Sequence, residues 1–280
     1  MYHAGSFADV HKHAVLVQVL KTLRLKKNPV TVMDTHAGRG IYDLLGSEAQ
    51  KTGECQSGVF PLWTPKIKTS PITEYMNILH KHNPEGELRT YPGSPMVIQG
   101  MLRESDHLIC IEKHPGEFQE LQACFKNFPT VTLKQADGFQ ALADMTTPAG
   151  HSSLVLIDPS YEIKSEYAEL PKYLERAWKK WPQAIFMIWY PLLPDNRHAE
   201  MLLKMRQSSV RDVLVSEVTF ETPPKGGFAM RGSGLAIVNP PWPREPLDAL
   251  TQYIASCLKA AGHVFWLDNM KIEQETGALV

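Results

Sequence analysis

Cysteine is scarce and scattered. Cys55, Cys110, Cys124 and Cys257 form no C-x-x-C pair, which excludes a zinc knuckle and a disulfide framework and points to a reducing cytoplasm. Long apolar runs are missing too: the best, AIFMIWYPLL, is about half of what a bilayer span requires, so no membrane partner is expected. The opening MYHAGSFADVHKHA has neither the basic nor the apolar region of an export signal. No G-x-x-x-x-G-K-[ST] is present, which argues against a phosphate-cradling P-loop. Nor does one sign of charge prevail. The formal net charge of −1 gives no global attraction to nucleic acid, although Lys12, Lys21, Arg24, Lys26 and Lys27 face a single acid, Asp9, in the first 30 residues. That cluster fits either a solvated helix face or a nucleic-acid contact. What remains is a globular composition, 43% hydrophobic and 21% charged, in a chain of 280 residues that can bury a large core.

Ser6 and Asp9 make an S-x-x-D cap, and Val10, Ala14, Val17 and Leu20 recur at helical spacing, so a first helix is expected over 7–26. Then come PVTVMDTHAGRG, HLICIE (107–112), TVTLKQADG (130–138), SSLVLIDPSY (152–161), AIFMIWYP (184–191), VLVSEVTFE (213–221) and GLAIVNPPW (234–242). Helical stretches such as YAELPKYLERAWKKW and NRHAEMLLKMRQ separate most of these strands, which implies a parallel sheet covered on both faces. Only the short loop TPPKGGFAMRGS joins the last two, so they should pair as an antiparallel hairpin. That profile is α/β and Rossmann-like, of the class I methyltransferase type. A nicotinamide-dependent oxidoreductase on an all-parallel sheet would need another crossover there.

Glu112 falls far beyond the usual distance of about 20 residues from the glycine turn. The excess implies a small helical subdomain inserted at 46–95, with a helix at ITEYMNILHKH and a close at TYPGSP, in a main domain of 1–45 and 96–280. The insertion is expected over the carboxyl edge of the sheet, where it would grip a substrate.

At that edge Gly38 and Gly40 allow close backbone approach to a ligand. Glu112 can accept from two ribose hydroxyls, and Asp137-Gly138 can receive an adenine amine. The stretch LVLIDPSY (154–161) adds the reactive group. An exocyclic aromatic amine is a poor nucleophile until acceptors draw on its N–H protons. Asp158 supplies a carboxylate that can take the proton, Pro159 holds its own carbonyl rigidly, and Tyr161 offers a face for an extruded base. LAIVNPPW (235–242) copies the pattern, but it follows the last expected strand with no helix pattern directly after it. It reads as an edge turn away from the ligand crevice.

With these blocks assembled, the chain resembles the RlmJ family of bacterial 23S rRNA adenine-N6-methyltransferases. HAGSFADVHKH, MDTHAGRG, YPGSP, IEKHP, ADGFQ, IDPSYE, WYP and VNPPW carry the likeness in order along nearly the whole chain. The resemblance implies S-adenosylmethionine as cofactor, with His13, His36, Ser94, Glu112, Asp137 and Gly138 touching it and Asp158 as catalytic acceptor. Lys12 would reach the active site or the RNA. It implies a monomer without a metal, acting on protein-free or early-assembly 23S rRNA. Two departures stand out. Ser160 replaces the second proline of the family's D-P-P-Y, which should slow or loosen the chemistry. The chain also begins a few residues later than family members, so Tyr2 is expected to stand in for a substrate-facing aromatic, unless the true start lies upstream. A DNA-directed adenine methyltransferase, or a nucleic-acid-binding protein involved in using external DNA, is the alternative. The 222–233 loop, with Lys225 and Arg231 among glycines, is expected to order on the substrate.

Overall fold

The aliphatic runs form strands because branched side chains pack well on a pleated sheet, and the central ones are buried on both sides. The computed structural model describes residues 3–64, 69–144, 150–224 and 230–269; Tyr2 and Lys225 fall outside them. In chain order the strands of the main sheet are β1 (Val30–Asp34), β4 (His107–Glu112), β5 (Val131–Gln135), β6 (Ser152–Ile157), β7 (Ile185–Leu192), β8 (Val213–Thr219), β9 (Gly232–Val238) and β10 (Ala261–Trp266). A separate pair, β2 (Ile41–Asp43) and β3 (Thr90–Pro92), runs antiparallel. Among the described residues the main sheet has the order β10-β8-β9-β7-β6-β1-β4-β5. From β5 to β7 the strands are parallel; β9 runs antiparallel between β7 and β8, and β10 antiparallel to β8. This is the Rossmann-like class I methyltransferase arrangement. The chain winds outward from β1 to β5 and then returns to β6, so the order reverses between β1 and β6, where open α/β sheets bind ligands.

Side-chain alternation splits the core in two. Val32, Leu154, Leu156, Met187 and Ile237 face one way, toward α1 (Phe7–Arg24), α4 (Ser94–Met101), α5 (Pro115–Phe125) and α9 (Arg244–Leu258). Met33, Val155, Ile157, Phe186 and Ile188 face α6 (Gly138–Asp144), α7 (Glu166–Lys180) and α8 (Arg197–Gln207).

The expected hairpin forms, but its second strand is not the last. Helix α9 starts two residues after Trp242, and β10 then closes the sheet, so the absence of a helix after NPPW is corrected. The placement of NPPW away from the crevice stands for a stronger reason. Because β9 is antiparallel, Asn239 emerges at the opposite edge, where its Nδ2 donates to the carbonyls of Pro182 and Ala184.

Residues 46–93 leave and re-enter through the β2–β3 pair and carry α2 (Ser47–Thr52), α3 (Thr73–His82) and two short 3₁₀ turns. Their buried Val59, Tyr75, Ile78, Leu79 and Tyr91 belong to the same cluster as α1 and the sheet. The return is complete by Ser94, where α4 packs back on β1 and β4. Covered by α3, α4 and α9 and lying on the sheet, α1 is buried nearly all round, not along one stripe as the periodicity suggests.

Candidate active site

Burial of α1 explains why its polar triplet His11-Lys12-His13 lies inside the protein. Ser6 caps the helix by accepting from the Asp9 N–H, and the Asp9 carboxylate accepts the Gly5 N–H at 3.0 Å. That leaves the other Asp9 oxygen 2.8 Å from Lys12 Nζ, one helical turn on. The lysine bridges from there to Asp158 Oδ2 at 2.5 Å, at the carboxyl end of β6. Both partners are largely buried, with side chains 9% and 14% exposed. Burial pushes the Asp158 carboxyl upward, and Lys12 pulls it back. Burial alone would lower the Lys12 ammonium, but Asp158 and Asp9 overcome this and raise it, so it stays charged. Oδ2 is committed to Lys12, and Oδ1 is the oxygen left to accept from a substrate.

Pro159 is buried beside Asp158, and Ser160 is exposed. Tyr161 takes a left-handed φ of 56°, a strained conformation for an aromatic residue. Its hydroxyl donates to the Trp189 carbonyl at 2.7 Å, and its ring lies 4.3 Å from that of Tyr167. The side chain is thus held inside the second core cluster, at 6% exposure, and not spread on the surface as a free platform. Across the same space the Trp189 ring centroid lies 5.8 Å from Lys12 Nζ, within cation–π range.

The other expected residues gather around the β1 turn. Gly38, at φ 64°, donates to one Glu112 oxygen at 2.8 Å, and His114 N–H donates to the other at 2.7 Å. Each oxygen keeps a lone pair, as a diol would need. His36 is held by Thr35 Oγ1 at 2.8 Å, lies edge-on to Phe139, and is pushed down to about 4 by burial. Gly138 is required by packing: a Cβ there would sit 2.2 Å from the Thr35 carbonyl oxygen. Asp137 caps α6 by accepting from Phe139 and Gln140 N–H, and pairs with Lys113 at 3.0 Å. His13 Nδ1 meets the Tyr91 hydroxyl at 2.9 Å; burial holds the ring near 3, hence neutral, and its buried Nε2 makes no hydrogen bond, with Asp9 Oδ1 4.0 Å away.

The expected residues missed several groups. Asp34 is fully buried at the end of β1, accepts the His36 N–H, and is raised to about 7 chiefly by burial, with Ser94 pulling it back. Its Oδ2 has no partner. Asp9 and Trp189 were also passed over. Asp9 stands three residues before Lys12 in the quoted helix, which was the available signal; Trp189 lies in the WYP block.

Lys21, Arg24, Lys26 and Lys27 lie elsewhere. Arg24 ends α1 roughly 18 Å along the helix from Lys12. The carbonyls of Lys26 and Asn28 accept from Arg103 at the entry to β1.

A family model described as "Ribosomal RNA large subunit methyltransferase D, RlmJ" matches residues 27–267. Two similar proteins are both named Ribosomal RNA large subunit methyltransferase J. The one from Escherichia coli K12 is 32% identical over 93% of each chain, and the one from Haemophilus influenzae 33% identical over 95% of each. A crystal structure of a Legionella pneumophila protein matches with a TM-score of 0.86 at 30% identity, over 94% of this chain and 98% of that one.

Proposed function

Because the chain belongs to the RlmJ family of ribosomal RNA large subunit methyltransferases, we propose that it methylates the N6 amine of one adenine in 23S rRNA. It is a methyltransferase, and its methyl donor is S-adenosylmethionine. The observation that carries the assignment is the Lys12–Asp158 pair in the D-P-S-Y turn, set at the reversal point of the sheet.

The residues fit this cofactor. His13 Nε2 and Asp34 Oδ2 are buried polar atoms without a hydrogen bond, and Glu112 retains acceptor capacity for a ribose. The acids Asp34, Glu112 and Asp158 at the strand ends suit a ligand bearing positive charge. His13, His36, Ser94, Glu112, Asp137 and Gly138 would hold it, with Gly38 letting backbone approach closely. Bound there, it supplies a methyl on an already activated sulfonium.

The protein then acts on the amine. Asp158 Oδ1 accepts one N6–H, the Pro159 carbonyl accepts the other, and both draw the lone pair out of the ring. As positive charge grows on N6, the carboxylate stabilises it and takes the proton. Lys12 keeps that carboxylate ionised despite its burial. Tyr161, held in the core, would back the base pocket from within, and Tyr2 would approach from the N-terminus. The substrate is RNA free of ribosomal proteins, the enzyme a metal-independent cytoplasmic monomer, and the 46–95 insertion a substrate-gripping subdomain.

Purified protein should methylate in-vitro-transcribed 23S rRNA, and nucleoside digestion should release N6-methyladenosine. A matched DNA hairpin should accept far less, since it lacks the 2′-hydroxyl. Equal transfer to DNA, or a product methylated at another atom, contradicts the reading.

A further inference from the structure

His11, immediately before Lys12, is completely buried, and the mechanism does not use it. Its Nδ1 lies 3.0 Å from Ser233 Oγ on β9, and its Nε2 lies 2.8 Å from Ser216 Oγ on β8. Ser233 Oγ also accepts from the Trp189 indole at 3.0 Å. On the far side Ser216 Oγ lies 2.7 Å from Thr251 Oγ1, which donates to the Leu247 carbonyl in α9. Ser216, Ser233 and Thr251 are all fully buried.

The chemistry of its two ends fixes the direction of this chain. An indole N–H only donates, and a carbonyl only accepts. Thr251 spends its proton on Leu247, so it accepts from Ser216, and Ser216 must accept from His11 Nε2–H. Nδ1 then accepts the Ser233 proton, which frees the Ser233 oxygen for Trp189. Every proton has one place, and the imidazole is a single neutral tautomer. Burial pushes it down to about 3, in keeping with that assignment.

The relay ends on the residue that touches both halves of the active site. Trp189 carries Lys12 Nζ near its ring, and the same ring lies 5.9 Å from that of Tyr161, tilted by 56°. We infer that His11 and Ser233 are positioning residues for methyl transfer: through Trp189 they set the place of Lys12 and the constrained Tyr161. The inference rests on the methyltransferase reading, and its test keeps the two apart.

Two variants break different arms. Ser233→Ala severs the link to Trp189 directly, whereas Thr251→Val removes the far anchor in α9 and leaves the Trp189–Ser233 bond in place. Ser233→Ala should lower kcat on rRNA on the order of tenfold, as small misplacements do, with KM for the cofactor unchanged. Thr251→Val should keep kcat within about twofold even where its melting temperature falls as far. His11→Asn, whose amide oxygen can take the Nδ1 place, should recover much of the rate that His11→Leu loses. The Trp189 indole N–H resonance, assigned with Trp189→Phe, should shift and lose exchange protection in Ser233→Ala. That signal needs no substrate, so it reports on the relay even if wild-type protein fails to methylate. Wild-type kcat in Ser233→Ala, or rate losses in the two variants that simply track melting temperature, would overturn the inference.

Discussion

At the scale of single residues, the site turns on one cation shared by two carboxylates. In the proposed reaction Asp158 must be ionised to accept a proton, so activity should fall below its pKa. Burial raises that pKa and Lys12 holds it back. Lys12→Met should therefore move the acidic limb of the kcat profile to higher pH and cut the rate at neutral pH by roughly 10²-fold. A pH-rate series on both proteins checks this, and an unmoved limb would show that Lys12 does not tune Asp158. The carboxylate was legible in the sequence because a buried strand that ends in D-P-S-Y has no structural need for an acid. Its partner Lys12 was legible only through the family resemblance, because a lysine on a helix reads as solvated until α3, α4 and α9 are seen to cover that helix. Ser160 is exposed, so the missing second proline disturbs no packing.

Among elements, the junction of the β1 turn with α6 is closely packed. Thr35 and His36 pack directly against Gly138. Gly138→Ala should cost about 1–3 kcal/mol by overpacking. Because the displaced turn carries His36 and Gly38, it should also weaken S-adenosylhomocysteine binding. Urea unfolding and calorimetric titration measure the two effects; loss of stability alone would make Gly138 a packing residue with no tie to the cofactor. The main-sheet strands to β9 could be read from aliphatic runs bounded by glycine and proline, whereas the short β2–β3 pair could not. Helix α9 and β10 could not: P-P-W-P-R-E-P resembles a terminal loop, and A-G-H-V-F-W begins with a helix-ending turn and a glycine. Strand polarity, which sends Asn239 to the opposite edge from Asp158, lies in the topology, not in the near-identical motifs themselves.

For the whole molecule, the sheet carries the residues proposed to hold the cofactor, and α1 and the 46–93 excursion share one continuous core with it. A ligand that binds only the folded form stabilises it by about 2.7 kcal/mol at 100 times its Kd. S-adenosylhomocysteine should therefore raise the melting temperature by several degrees, and NAD should leave it unchanged; the reverse would favour the oxidoreductase. The most direct measurement is single-turnover methyl transfer to 23S rRNA by Asp158→Ala. Transfer should fall by at least about 10²-fold, while calorimetry shows cofactor affinity within a few-fold of wild type. Equal transfer by the variant would show that the carboxylate at 158 is not the group that draws on the amine.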